Sequence, residues 1–200
     1  MTGGTAAESS TMRPLSARNP RVQRLARLAK RREERIEQRA LLVEGPLLLG
    51  AALDGGATVV DVFVDETAVH DPAVADVVDR LPYDVVPWVL PRGVLDRVGD
   101  ATVSQGVTAV VEKRDPPWPT PSTTRFVLVL VDVADPGNVG TLVRAAAAAG
   151  AGAVVVAGGA DPSSPKVVRS SAGAVFGVDV ISGAAPGEVG GRLRSLGYRT

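Results

Sequence analysis

Apolar positions between Pro20 and Ala40 recur about every three to four residues, the period of an amphipathic α-helix. Asn19-Pro20 comes just before them and is typical of a helix start with proline in the first turn. Arginines occupy much of the remaining surface, so the pattern predicts one basic helix that docks on the rest of the protein through its apolar stripe. The stripe consists of Val22, Leu25, Leu28, Ala29, Ile36 and Ala40.

Strand and helix signals alternate over residues 41–111, which indicates a small α/β domain. Residues 1–15 are small and polar, and their composition favours disorder. The predicted strands are 41–45, 59–64, a segment starting at 85, and 107–111; the predicted helices are 47–53, 71–80 and 91–95.

A proline-rich segment follows and predicts a domain boundary. Pro116, Pro117, Pro119 and Pro121 cannot join the interior of a sheet, because proline lacks the backbone N–H and fixes φ. The chain is therefore divided into a first domain at 16–112, a semi-rigid linker at 113–125 and a second domain at 126–200.

Residues 126–200 have a different pattern. Continuous apolar runs at 126–131 and 153–157 predict strands buried on both faces. Such strands, alternating with helices, require a parallel sheet covered on both sides. Further strands are predicted at 178–181 and from 197 to 200, and helices at 140–149, 163–172 and 188–195.

Composition excludes several classes of site. The 200 residues include no cysteine and one histidine, so disulfides, thiolate zinc sites, iron–sulfur clusters and cysteine nucleophiles are excluded and no metal is expected. No apolar stretch approaches the roughly 18 residues of a membrane span, and the N-terminus lacks the apolar core of a secretory signal. We therefore expect a cytoplasmic protein that does not enter a membrane.

The formal charge of zero hides a division along the chain. Residues 1–40 have a net charge of +6 and residues 41–200 a net charge of −6. A basic segment on an acidic body indicates a polyanionic partner. An ordinary solvated helix is the alternative. Trp88 and Trp118 are candidates for stacking on nucleobases, or simply for packing.

The turn at 132–140 is the strongest candidate for chemistry. It follows a predicted parallel strand, at the end where such sheets place ligands, and its glycines let the backbone approach closely. Arg144 lies four residues beyond Gly140 and can face the same opening. The turn has neither a dinucleotide fingerprint nor a phosphate loop. Local physics alone also allows an ordinary βα turn with a surface arginine.

The segment Asp135–Ala146, DPGNVGTLVRAA, closely resembles the first signature of the SpoU (TrmH-type) RNA ribose methyltransferases. Pro165–Ala174 is similar to the family's segment after its second strand. Leu42–Gly45, Gln105–Val107 and Asn19–Val22 resemble its N-terminal substrate-binding domain. The spacing of Asn138, Gly140 and Arg144 alone does not identify the family. The resemblance is specific because all these segments occur in the family's order.

The resemblance implies transfer of a methyl group from S-adenosylmethionine to a ribose 2′-hydroxyl of ribosomal or transfer RNA, by a homodimer without a metal. It implies a ribosomal-protein-like RNA-binding domain followed by a Rossmann-like α/β-knot domain. Arg144 would be the catalytic arginine and Asn138 its neighbour. Together with the charge pattern, it makes Arg18, Arg21, Arg24, Arg31, Arg35, Lys166 and Arg169 the expected RNA contacts.

The sequence departs from the family in one respect. The family's second and third signatures, which form the knot and hold most of the cofactor, do not occur in the 200 residues. We therefore expect a methyltransferase domain truncated before the knot, with the cofactor-binding residues beyond Thr200. An RNA-binding fragment without catalytic activity is the alternative.

Overall fold

The chain folds into two α/β halves, each built on its own sheet. The computed structural model describes residues 12–99, 103–122 and 126–200. The disorder predicted for residues 1–11 lies outside this part of the chain. In the described part, no helix is long and apolar enough to cross a membrane.

The first half contains a mixed five-stranded sheet in the order β1-β4-β3-β5-β2. Strand β3 is parallel to β4 and antiparallel to β5. The strands are β1 (Arg13–Pro14), β2 (Ala40–Glu44), β3 (Val59–Asp65), β4 (Pro87–Leu90) and β5 (Val107–Glu112); the helices are α1 (Pro20–Lys30), α2 (Arg32–Glu37), α3 (Pro46–Asp54), α4 (Pro72–Asp79) and α5 (Val94–Val98).

Both faces of this sheet are covered, because successive side chains of a strand point to opposite sides. Phe63 of β3 packs with Leu25 and Leu28 of α1. Its neighbours Val62 and Val64 pack on the other face with α3 and α4. The small α/β domain predicted from residues 41–111 is present.

Two predictions for the N-terminal region are wrong. The basic helix breaks at Arg31, whose φ of −117° and ψ of 118° are extended. The new axis of α2 leaves Ile36 54% exposed and turns Arg35 inward, and Ala40 starts a strand instead of ending the helix. The tail also ends earlier than residue 15, since Arg13 and Pro14 pair with Trp88 and Val89.

The second half is a parallel sheet in the order β6-β7-β8. Helices α6 and α7 cover one face and α8 the other. The strands are β6 (Val127–Val131), β7 (Ala153–Ala157) and β8 (Asp179–Ser182), and the helices are α6 (Pro136–Ala148), α7 (Pro165–Ser170) and α8 (Pro186–Ser195).

The sequence pattern predicts β7 correctly and β6 only in part. Every residue of β7 is buried, as expected for a central strand. Strand β6 is only half-buried, with Val131 53% exposed, because β6 lies at the sheet edge. Helix α6 starts at Pro136, four residues before the predicted start, because Asp135 caps it. The fourth strand predicted at 197–200 does not form.

The two halves share a core. Phe176, which follows α7, is buried in the cluster formed by α3, α4 and the first sheet. Gly55 permits this approach, since a Cβ there would lie 2.7 Å from the Phe176 Cβ. Gly173, with φ of 86°, lies against Ala51 of α3 in the same way. The position of α7 is therefore fixed by the first half as well as the second.

Candidate active site

The loops that follow β6 and β7 meet at the carboxyl edge of the second sheet. The amide of Asp132 donates to the carbonyl of Ala157 over 2.9 Å, and the amide of Ala160 donates to the carbonyl of Val133 over 2.9 Å. Parallel α/β sheets bind their ligands at this edge. The turn that the sequence singled out therefore lies where a ligand is expected.

Gly159 makes the close contact between these loops possible. Its φ is 71°, and a Cβ at this position would lie 2.7 Å from the backbone nitrogen of Val133. Asp132 itself has a positive φ of 51°, which L-residues with a short polar side chain tolerate better than others. The backbone at this edge is held in one conformation by its neighbours.

Asp135 caps helix α6 and orients its first turn. Its carboxylate accepts a 2.9 Å hydrogen bond from the amide of Asn138, and the Lys166 ammonium lies 3.6 Å away. The Asn138 amide bond and the charge of Lys166 outweigh desolvation and hold the pKa of Asp135 below its usual range. Lys166, an expected RNA contact, is thus paired with a carboxylate, although about half of its side chain stays exposed.

Asn138 and Arg144 are both exposed on α6. Within the described residues, the Arg144 side chain has no ion pair or hydrogen bond. It lies six residues after Asn138, about 9 Å along the helix axis. Since helical side chains lean towards the N-terminus, the guanidinium can extend towards the turn. The role of both residues stays a prediction.

Helix α7 holds α6 in place. A Cβ at Gly140 would lie 2.6 Å from the carbonyl oxygen of Val167, so the two helices touch through backbone. The hydroxyl of Ser170, which donates to the carbonyl of Lys166 over 2.7 Å, also lies 3.2 Å from the carbonyl oxygen of Pro136. The first turn of α6 therefore depends on where α7 sits.

Arg169 ties α7 to the first half. Its guanidinium donates to the carboxylate of Glu44, at the end of β2, where Glu44 is 7% exposed and Arg169 30%. A carboxylate this buried needs a partner, because an unpaired buried charge is costly. Arg169, expected to contact RNA, is therefore part of the contact between the halves.

Arg35, another expected RNA contact, forms the second ion pair between the halves and is buried. It is 5% exposed. Its guanidinium donates to the Asp161 carboxylate over 2.7 Å and to the Leu28 carbonyl over 2.8 Å. Burial alone would raise the pKa of Asp161, but hydrogen bonds from Ser163 and Arg35 outweigh it and lower the pKa.

The remaining basic side chains of the N-terminal region divide into two groups. Arg21 and Arg24 both bind the buried carboxylate of Asp61, and Arg27 binds Glu34. The second group is exposed and forms no ion pair within the described residues. Its members near α1 are Arg13 and Arg18 before the helix, and Lys30, Arg31 and Arg32 at the break.

Lys30, Arg31 and Arg32, called the basic corner below, lie at the end of α1. The carbonyl groups of Leu28 and Ala29, at the end of α1, accept from the same Arg35 guanidinium that reaches Asp161. Asp161 belongs to the loop after β7. The end of α1 is thus held at the carboxyl edge of the second sheet.

The acidic anchors were missed by sequence reasoning. Asp61 interrupts an apolar strand and Glu44 ends one, so each places a carboxylate where only a paired charge is tolerated. That pattern could have identified both. No comparable signal marks Asp161, which follows two glycines in a loop. No group of three or more metal-ligating side chains occurs in the part of the chain that the structure describes.

Comparison with known proteins matches each half to a family. Residues 125–200 match the SpoU rRNA Methylase family, and residues 19–109 match the MRM3-like substrate binding domain. An uncharacterized tRNA/rRNA methyltransferase of Synechocystis is 38% identical over 162 residues, which cover 79% of this chain and 57% of that protein. The 23S rRNA (guanosine(2553)-2′-O)-methyltransferase RlmP of Bacillus subtilis is 32% identical, over 83% of this chain and 63% of its own length.

Solved structures agree over both halves. The crystal structure of an RNA 2′-O ribose methyltransferase has a TM-score of 0.74 and 30% identity, and covers 92% of this chain and 70% of its own. The SpoU methyltransferase AviRb of Streptomyces viridochromogenes, in complex with AdoMet, has a TM-score of 0.77 and 26% identity, over 89% and 68% of the two chains. The chain spans about three fifths of the length of the two curated relatives above.

Proposed function

The chain belongs to the SpoU rRNA methylase family, and from this premise we propose that it serves the transfer of a methyl group from S-adenosylmethionine to a ribose 2′-hydroxyl of RNA. Ribosomal RNA is the favoured substrate, because relatives that match both halves are named for it. The observation that carries the proposal is the exposed Arg144, which has no partner within the described residues and lies on the helix that starts at the carboxyl edge of the sheet.

In this proposal Arg144 orients the ribose and stabilises charge. Arginine is a poor general base because its pKa exceeds about 12. Its planar set of N–H donors can instead hold the ribose or an adjacent phosphate and stabilise the developing alkoxide. A methyl sulfonium needs little electrophilic help, so alignment of the hydroxyl with the methyl group should contribute most of the acceleration. Asn138, in the first turn of α6, would provide a second polar contact to the RNA.

The residues present supply only part of a site for the methyl donor. The loops after β6 and β7 pack on each other through Gly159 and Val133, so this turn is not an open cradle. The two further signatures by which the family holds S-adenosylmethionine do not occur in the 200 residues. S-Adenosylmethionine, when bound, supplies the methyl group. The part assigned to this chain is to bind RNA and to orient the ribose.

RNA would lie along the unpaired cations at the two ends of α1. Arg18 lies at one end and Arg31, within the basic corner, at the other. Because the corner is held next to the loop after β7, a phosphate backbone bound there would pass the turn before α6. Arg21, Arg24 and Lys166 would contribute less to phosphate binding, since a carboxylate already pairs with each. We further propose a cytoplasmic homodimer that takes part in ribosomal RNA processing, as the family resemblance implies.

Replacing Arg144 tests the catalytic role. Arg144→Ala should lower methyl transfer from labelled S-adenosylmethionine to ribosomal RNA by on the order of 100-fold, as for loss of one preorganised donor to a developing oxyanion. Arg97→Ala, which removes an exposed arginine from α5 in the first half, is the charge-matched control and should leave the rate unchanged. Equal rates for wild type and Arg144→Ala would remove Arg144 from the mechanism.

An RNA-binding module without catalytic activity is the second candidate, favoured by the close packing of the loops after β6 and β7, which leaves no open cradle for the donor at this turn. Calorimetry of the 200-residue chain with S-adenosylmethionine separates the two. Tight binding of the donor would exclude the binding module. RNA binding without measurable donor binding would favour it for this length of chain.

A further inference from the structure

Arg21 is held on the outside of the first half by an aromatic ring and a carboxylate. Its guanidinium carbon lies 5.0 Å from the centre of the Trp88 ring. One of its nitrogens lies 2.5 Å from the Asp61 carboxylate, which also accepts a 3.3 Å hydrogen bond from the Trp88 indole N–H. The ion pair and the cation–π contact together hold the guanidinium in place.

The arrangement leaves one side of Arg21 open. Trp88 packs against the core between the sheet and α1, and the ring is only partly exposed. The Arg21 side chain is 49% exposed although it makes both contacts. A guanidinium that lies within cation–π distance of an indole and is half-exposed to solvent is a surface on which a nucleobase can stack.

The charges around this surface fit a nucleotide chain. Arg13 pairs in register with Trp88 at the edge of the sheet, and Arg18 lies just before α1. Both are exposed and have no ion pair within the described residues. Asp61 is nearly buried and is matched by two arginines, so the surface has a net positive charge.

We propose that Arg21, supported by Trp88 and Asp61, is a stacking platform for one base of single-stranded RNA, with the neighbouring phosphates on Arg13 and Arg18. The inference rests on the proposed function, because it takes RNA as the substrate. It adds a base contact at the end of α1 opposite to the basic corner. An RNA strand would thus be held at both ends of an 11-residue helix.

Arg24 provides a matched control. It binds the same Asp61 carboxylate over 3.0 Å but does not stack on the indole, and its Nε donates to Gln38. Lysine keeps the charge at either position and removes the plane. Arg21→Lys should therefore weaken stacking, whereas Arg24→Lys should not.

The test compares two probes on the 200-residue chain: a short oligouridylate, and an oligomer of equal length with the same ribose-phosphate backbone and no bases. Arg21→Lys should weaken binding of the oligouridylate about tenfold, the effect of removing one stacked base, and should leave binding of the abasic oligomer unchanged. Arg24→Lys should affect the two probes equally. An equal weakening for both probes in Arg21→Lys would overturn the platform and leave only an electrostatic contact.

Fluorescence gives an independent measurement. The chain has two tryptophans, so Trp118→Phe leaves Trp88 as the single reporter. Oligouridylate should change the Trp88 emission and the abasic oligomer should not. Binding of oligouridylate without any change in emission contradicts the platform while the proposed function stands. Failure of the chain to bind either probe contradicts both.

Discussion

Asp161 has an importance at the residue scale that its position in a loop does not suggest. It joins the basic helix region to the loop beside the candidate site through Arg35, and both side chains are largely buried. Removing one partner of such a pair leaves an uncompensated buried charge. The stability of the contact between the halves should therefore be sensitive to this one carboxylate.

Asp161→Asn should lower the free energy of unfolding by about 3–5 kcal/mol at neutral pH, because Arg35 stays buried without a counter-charge. The pKa of Asp161 in the folded protein is below its ordinary value of 3.8. The stabilisation is therefore complete above that value and is lost as the pH falls through the lowered pKa. Urea unfolding at pH 7 and at pH 3 should show the difference between wild type and variant shrinking in acid.

Arg39 and Asp115 offer the control for this measurement. Their side chains lie 3.4 Å apart but are 65% and 61% exposed, so solvent screens the pair. Asp115→Asn should change stability by no more than about 1 kcal/mol. If Asp161→Asn and Asp115→Asn lower the free energy of unfolding equally, burial does not explain the contribution of the Arg35–Asp161 pair to stability.

At the element scale, the close approach of α6 and α7 depends on a residue without a side chain. Gly140→Ala places a Cβ 2.6 Å from the Val167 carbonyl and should destabilise the protein by about 1–3 kcal/mol, in spite of the better helix propensity of alanine. Gly191→Ala in α8 meets nothing within 4 Å and should stabilise by up to about 1 kcal/mol. Unfolding of both variants in guanidinium chloride measures the difference in their stability. A stabilised Gly140→Ala would contradict the close contact.

The basic helix region should bind RNA through its unpaired cations and not through its whole charge. Replacing Lys30, Arg31 and Arg32 by glutamine should reduce the slope of log affinity against log salt by about 2, at roughly 0.7 for each phosphate that is no longer neutralised. Replacing Arg24, Arg27 and Arg39 removes the same charge from paired side chains and should reduce the slope less. Titrations with oligouridylate at several salt concentrations measure both. Identical slopes would show that net charge alone governs binding.

The order of strands and helices could be predicted from periodicity, since local patterns determine most of these elements. Strand β7 matches its predicted bounds because a central strand is apolar throughout. The break at Arg31 and the inward turn of Arg35 could not be predicted, because they depend on Asp161, 126 residues away along the chain from Arg35. For the same reason the pairing of Arg35 with Asp161 and of Arg169 with Glu44 could not be predicted, and the sequence identified both arginines only as positive charges. Their burial comes from tertiary contacts with single acids.

At the scale of the whole molecule, the two halves should unfold together. Phe176 belongs to the second half and is buried in the core of the first. Single-tryptophan variants report on each half separately, with Trp88 in the first and Trp118 against the core of the second. Their urea transitions should coincide. Phe176→Ala should lower the free energy of unfolding that both tryptophans report by about 3–5 kcal/mol. Two separate transitions would show that the halves are independent.

The shared core makes the covalent link between the halves less important than its position suggests. Residues 113–122 contain all four prolines of the linker, whereas Phe176 and the Arg35 and Arg169 ion pairs join the halves outside it. A protease cut in this segment should leave two fragments that stay associated. Separately produced pieces should likewise find each other, so the protein lends itself to fragment complementation, in which assembly of the pieces reports on the integrity of a buried surface.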